Sequence, residues 1–319
     1  MAQAGSIEHP LETIVRPWAG YRFDLVLDYL RRSPSAITET IHASSYARAF
    51  RSDTGPVVAR VTGVTPGTLR IEIAGPGASG LALDAIAARL WDALGLNRPH
   101  PEVATLHAQD RVAGELLALY AGLPPLCIPD LFETLVWAIL GQQVNIAFAG
   151  RMKHALVRAY GEPVEAFGGS HHLFPSPPIL ARMTVSEART LQISRQKAEY
   201  IRGIAESVTS GALDLRSLRS WDNETIVDRL TRLRGIGRWT AEYLLLRGLA
   251  RPDAIPAGDM GQRAAIGRMY GLGRHASEQE VRTIAERWRP WRGIVAFYVW
   301  CALQRREVPT PQVLGDSAS

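Results

Sequence analysis

The sequence predicts an α+β protein in which a small sheet-bearing module precedes a larger, mostly helical region. Three observations predict it. Apolar residues alternate with period two between residues 57 and 74. Gly75-Pro76-Gly77 then ends the strand pattern, and from about residue 100 the apolar period becomes 3.6 and stays there. The expected organisation is an N-terminal arm over residues 1–20, the α+β module over 21–99, the helical domain over 100–308 and a tail over 309–319.

Each element follows from its pattern. FDLVLDYLRR, residues 23–32, reads as a short helix. Val57, Ala59 and Val61 recur at every second position, as do Leu69, Ile71 and Ile73, which alternate with Arg70 and Glu72. The turn Thr65-Pro66-Gly67 makes the two runs a hairpin. Residues 82–96 form an amphipathic helix stopped by Asn97, Arg98 and Pro99. A long helix opens at Pro129, with Asp130 and Glu133 at capping-box spacing and apolar residues on to Val157. Residues 168–178 read as a polar, proline-broken loop. Helical patterns resume at 186–208, 223–233, 239–249, 260–270, 277–288 and 293–304.

Composition narrows the class. With 319 residues, 46% apolar and 21% charged, the chain is neither disordered nor membrane-like. Its first residues lack the layout of a secretory signal, and Cys127 and Cys301 are too few for a disulfide framework or a four-thiolate cluster. A cytoplasmic, nucleoid-associated protein without an iron–sulfur centre is expected. The net charge of +5 is unevenly placed: residues 229–306 hold 15 arginines against six acidic residues, while the remainder is net negative. Positive charge gathered in one segment is the footprint of a polyanion partner, although any single charge run can equally be a solvated face. The only lysines are Lys153 and Lys197.

The densest signal is LRGIGRWTAEY, residues 233–243. A helix ends near Leu233, a tight turn uses Gly235 and Gly237, and a second helix starts near Arg238. Glycines permit left-handed backbone angles and close approach of a strand, and the free amides of a helix start attract phosphate. Ile236 anchors the turn from inside. Downstream, IPAGDMG places Asp259 just before a helix, 22 positions after Gly237. An aspartate there is a standard N-cap.

Together these residues resemble the helix-hairpin-helix base-excision glycosylase superfamily, and within it the bacterial DNA-3-methyladenine glycosylase II family. The stretches FETLVWAILGQQ (132–143) and AERWRPWR (285–292) match family patterns, and the N-terminal helix with SSYARAF resembles that family's TBP-like module. The resemblance covers nearly the whole chain. It implies a monofunctional glycosylase that flips an alkylated base from double-stranded DNA and hydrolyses its glycosidic bond, with Asp259 as the catalytic carboxylate. It further implies Trp239, Tyr243, Trp300 and Tyr29 in the base pocket, and the amides of Gly235, Gly237 and Trp239 on a phosphate. Gln143 fills the place of the wedge. No cofactor is required, though a structural Na+ or K+ at the carbonyls of Leu233 and Gly235 is expected from the family's hairpin. Relatives that also nick the strand carry a lysine where this chain has Trp239, so no lyase activity is expected, and neither lysine is near the motif in sequence.

Arg238, Arg263, Arg289 and Arg292 are candidate phosphate contacts because they lie in the basic segment. Trp91, Trp137 and Trp288 are expected in the core, Asp253 on the surface, and His171-His172 as an exposed loop pair without metal-binding partners. The protein is expected to act as a monomer. Two alternatives stay open: a glycosylase for oxidised or mismatched bases, and a non-catalytic module that only holds damaged DNA.

Overall fold

The computed structural model describes residues 10–33, 37–97 and 103–309. Its first part is a five-stranded antiparallel sheet formed by β1 (Leu11–Val15), β2 (Glu39–Ile41), β3 (Ser45–Ser52), β4 (Gly55–Thr65) and β5 (Thr68–Ala74). The order is β1-β5-β4-β3-β2. The 65–67 turn joins β4 to β5 as expected, with Ile71 opposite Val61 and Ile73 opposite Ala59. These four side chains are fully buried. Helices α1 (Phe23–Arg31) and α2 (Gly80–Ala93) belong to the same module, and α3 (Val103–Gln109) and α4 (Arg111–Leu119) lead into the helical part, which also holds the short α7 (Pro177–Leu180).

The expected N-terminal arm is wrong in part. Leu11–Val15 is an edge strand in register with Leu69–Ile73, and its Val15 enters the core. Five residues with one buried side chain are too short to show a clear alternation. Residues 1–9 and 310–319 lie outside the described residues, as do Arg98 and Pro99 of the predicted helix stop.

The loop expected at 168–178 is also corrected. Strands β6 (Pro163–Ala166) and β7 (Gly169–His172) form a hairpin that lies against β3 and β4. Val164 and Leu173 join Ala47, Ala49 and Val58 in a second small cluster. This covering explains why polar residues on the sheet's outer face are buried. Glu72 pairs with Arg60 at 2.8 Å, and the Arg60 guanidinium stands 4.1 Å from the Phe167 ring centroid. His171 is therefore buried rather than exposed, 3.4 Å from Thr40 Oγ1, and burial lowers its pKa.

The helical part is built around α5 (Leu131–Gly141), in which Phe132 to Leu140 are all buried. A helix apolar on every side must be surrounded. Around it lie α6 (Ile146–Tyr160), α9 (Arg195–Thr209) and α11 (Arg238–Arg247). The single long helix predicted from Pro129 to Val157 is two, broken at Gln142–Asn145, where Gln143 takes a left-handed φ of 56° and Asn145 caps α6. The 186–208 pattern likewise splits into α8 (Val185–Thr190) and α9 at Gln192, φ 61°. The later helices are α10 (Asn223–Thr231), α12 (Met260–Met269), α13 (Glu278–Ala285) and α14 (Arg292–Arg305), close to expectation. No helix among the described residues is long and apolar enough to cross a membrane.

The predicted capping box at α5 is half formed. Asp130 Oδ1 accepts from the Glu133 amide at 2.8 Å, but the Glu133 carboxylate turns inward. There it meets Arg48 from β3 and Lys153 from α6, the latter at 2.7 Å, and Arg48 also binds Glu39 at 2.7 Å. This buried network fastens the sheet to the helices. Burial alone would raise the Glu133 pKa, but Arg48 and Lys153 overcome it and hold the carboxyl below the ordinary value. A depressed folded pKa contributes stability above the unfolded value, near 4.5, that is lost as pH falls through the folded one. Glu133→Gln should therefore lower unfolding free energy at pH 7 by about 3–5 kcal/mol, because it leaves the buried Lys153 without a counter-charge and Arg48 with Glu39 alone. Urea unfolding at several pH values should show the deficit shrinking below pH 4.

Candidate active site and nucleic-acid interface

The hairpin between α10 and α11 uses its two glycines for different reasons. Gly235 has φ +94°, and a Cβ there would sit 2.2 Å from Cγ of Tyr200. Gly237 has an ordinary φ of −88°, which corrects the expectation of two left-handed residues. It is the N-cap of α11 and faces open space, with nothing within 4 Å of a would-be Cβ. Ile236 between them is buried, as expected. The first-turn amides of α11 have no intrahelical acceptors, so they are available to an outside anion.

A cleft of about 680 Å³ runs along this turn, lined by Gln143, Lys197, Tyr200, Arg232, Arg234 and Gly237 among others. Gln142 ties its two sides together: Nε2 donates to the Gly235 carbonyl at 2.9 Å and to Thr240 Oγ1 at 3.3 Å. The next residue, Gln143, is exposed on its left-handed backbone, at the tip of the α5–α6 turn. Lys197 is a correction. Distant in sequence, it is brought into this cleft, where Nζ donates to the Leu140 carbonyl at 2.5 Å and burial lowers its pKa. Lys153 remains in the buried network.

The basic segment is less free than its net charge suggests. Arg289 and Arg292 clasp Asp253 and Glu286, and Asp253 is a half-buried anchor rather than a loose surface residue. Arg263 donates Nε to the Ala276 carbonyl at 2.7 Å. Arg238 pairs with Glu242 at 2.9 Å while half exposed. Burial raises the Glu242 pKa against the pull of Arg282 and Arg238. Arg232 and Arg234, which the sequence reading passed over, are more than 70% exposed and line the cleft. Exposed pairs such as theirs with Asp228 and Glu199 are weak enough to exchange for phosphate. The place of Arg234 inside the hairpin string, with Arg232 just before it, was the available signal.

Asp259 caps α12: Oδ1 accepts from the Gln262 amide at 2.9 Å. Its other oxygen accepts from Trp239 Nε1 at 3.2 Å, so a residue of the hairpin's own second helix fixes the carboxylate. The group is half-buried, no cationic side chain pairs with it among the described residues, and the next residue, Met260, is 60% exposed. Gly261 leaves room beside it, since a Cβ there would stand 3.2 Å from Oδ1 and from Leu303.

The expected aromatics assemble on this side. Tyr243 packs 5.6 Å from Trp239 and 5.6 Å from Trp300, ring centroid to ring centroid. Trp239 and Trp300 are half-exposed, whereas Tyr243 is buried with its pKa raised by that burial. Its hydroxyl accepts from Trp137 Nε1 at 2.9 Å, so this core tryptophan positions the wall. Tyr29 comes from the sheet module and meets Arg247 and Phe297. Trp288 is core; Trp91 is only half-buried. The larger cavity, about 900 Å³ between sheet and helices, contains none of these residues, and its Arg89 is spent on the carbonyls of Arg51 and Pro129.

Residues 136–290 match the family model of the HhH-GPD superfamily of base excision DNA repair proteins. The chain belongs to that superfamily. A Bacillus subtilis protein named DNA-3-methyladenine glycosylase is 36% identical over 58% of this chain and 61% of its own length. DNA-3-methyladenine glycosylase 2 of Escherichia coli is 29% identical over 88% of this chain and 93% of its own. The solved 3-methyladenine DNA glycosylase of Archaeoglobus fulgidus superposes with a TM-score of 0.81 at 25% identity, covering 92% of this chain and 98% of that one. The match spans less than two thirds of the Bacillus subtilis relative. Within this HhH-GPD chain the two glycines can be tested apart. Gly237→Ala should cost under about 1 kcal/mol of stability yet weaken duplex DNA binding about tenfold, by crowding the open face. Gly235→Ala should lower thermal stability markedly, and calorimetry with fluorescence anisotropy separates the two.

Proposed function

We propose that this protein is a monofunctional DNA glycosylase that releases alkylated bases, of the 3-methyladenine and 7-methylguanine type, from double-stranded DNA. The observation that carries the reading is the Trp239–Asp259 hydrogen bond. It puts the carboxylate and the phosphate-binding helix start in one rigid frame. The hairpin amides, with Arg232, Arg234 and Arg238 around them, hold backbone phosphates without reading sequence. Gln143 enters the stack where the base has left, and the extruded base lies along Trp239, Tyr243 and Trp300. A cationic alkylated purine gains roughly 0.5–2 kcal/mol on such rings.

As the glycosidic bond breaks, positive charge grows on the sugar. Asp259 offsets that charge, the more strongly once bound DNA covers its half-buried carboxylate, and orients the attacking water. Arg263, Arg289 and Arg292, engaged internally, are proposed at most as long-range contributors to the field. Lyase chemistry would need an amine beside the sugar; Lys197 lies in the hairpin cleft instead of beside Asp259. A monovalent cation behind the hairpin fits the donor set. The Leu233 carbonyl accepts from the Ile236 amide at 3.1 Å and that of Gly235 from Gln142, which leaves each oxygen a second lone pair.

Asp259→Asn is the decisive variant, because asparagine caps a helix as well as aspartate while removing the charge, its amide nitrogen facing Trp239 in place of the second acceptor oxygen. Single-turnover assays on duplexes carrying 3-methyladenine, 7-methylguanine, hypoxanthine or 8-oxoguanine should show base release falling on the order of a hundredfold or more. Affinity for the same duplexes should stay within about threefold and fall steeply with salt. Retained excision by the variant refutes the reading.

A further inference from the structure

Arg247 is a half-buried cation that no carboxylate accompanies among the described residues. One of its terminal nitrogens donates to the Tyr29 hydroxyl at 2.7 Å. Its guanidinium lies 5.6 Å from the Tyr29 ring centroid and 5.4 Å from that of Phe297. Its Nε is buried without a hydrogen-bond partner. Several other arginines of this region behave differently: Arg238, Arg282, Arg289 and Arg292 meet acidic side chains, and Arg251 and Arg263 meet backbone carbonyls. Desolvating a cation without a counter-charge is unfavourable, so a position that tolerates it calls for a reason beyond packing.

Its register supplies one. Trp239, Tyr243 and Arg247 are spaced by four on α11 and form a single stripe, about 6 Å of rise between successive members. Trp239 binds Asp259 at one end, and Tyr243 packs against Trp300 in the middle. The guanidinium closes the other end, held there by Tyr29 from α1 and Phe297 from α14. A purine lying along the stripe with its glycosidic nitrogen toward Asp259 would turn its far edge to Arg247.

We propose that Arg247 is a specificity-determining residue of the base pocket, a fixed positive charge that makes neutral bases with a carbonyl edge good leaving groups. The inference rests on the glycosylase reading above. When the C1′–N bond breaks, both electrons leave on the base while water adds to C1′. An N7-alkylated purine starts cationic and departs neutral, and the proton of the attacking water passes to solvent. A neutral purine departs as an anion and is neutral again only after taking up that proton. Arg247 stabilises the anion until then, and its amino edge can donate to the base's carbonyl oxygen. Toward a cationic base the same charge is repulsive in the bound state and that repulsion is relieved in the transition state, so what it gains in the bound step it loses in binding, and kcat/KM for that base depends on it far less.

The test compares two substrates in two variants. Under single-turnover conditions with enzyme well below saturation, Arg247→Met should lower the second-order rate constant for hypoxanthine release about tenfold or more. Release of 7-methylguanine should change by less than about threefold. Arg247→Lys keeps the charge but retracts it, so the hypoxanthine rate should fall by a smaller factor with 7-methylguanine again unchanged. This second variant reads the same ratio should Arg247→Met fail to fold. Equal losses on both bases in either folded variant would mean a structural strut and overturn the proposal, as would an unchanged ratio. A wild-type protein that releases 7-methylguanine but never hypoxanthine also overturns it, leaving the glycosylase reading intact. One that releases neither overturns both.

Discussion

A helix fixes the direction and spacing of everything it carries, and α11 carries both halves of this site. Its first turn presents free amides to the outside, and its length presents Trp239, Tyr243 and Arg247 at one angle. Nothing along it can shift without moving the rest. Asp259 belongs to another helix, but the indole of Trp239 brings it into the same frame. The geometry that the proposed phosphate grip and bond cleavage require is therefore set by one helical register plus one hydrogen bond.

Holding α11 still is the work of the layers behind it. Its neighbour α5 is buried on every face from Phe132 to Leu140, and Trp137 on α5 fixes the Tyr243 hydroxyl. The same helix carries Glu133, which reaches through Arg48 to the sheet and through Lys153 to α6. A sheet module remote from the hairpin thus bears on the aromatic wall through two side chains of one helix, and a second time through Tyr29.

The sequence made the hairpin, the carboxylate and the wall legible because each rests on local pattern: two glycines between helices, a capping aspartate, and aromatics at helical spacing. It did not show what depends on chain folding over distance. Lys197 reaches the cleft only because α9 packs beside α5. Asp253 looked like surface because its partners, Arg289 and Arg292, lie 36 and 39 residues away. The basic segment read as one free patch for the same reason. The 163–172 hairpin was hidden by polar strands whose burial comes from contact with the first sheet. Gln143 and Gln192 broke helices that periodicity alone ran together, since a left-handed residue leaves no apolar signature.

The two glycines of the turn answer to different masters. Gly235 is demanded from within, by the ring of Tyr200; Gly237 is demanded from without, by whatever comes close to the open face. Divergence should treat them unequally. A descendant that kept this architecture but lost its ligand would be free to replace the second glycine while the first stayed locked. The pair therefore serves as an internal record, in any lineage sharing this turn, of whether selection still acts on the surface or only on the scaffold.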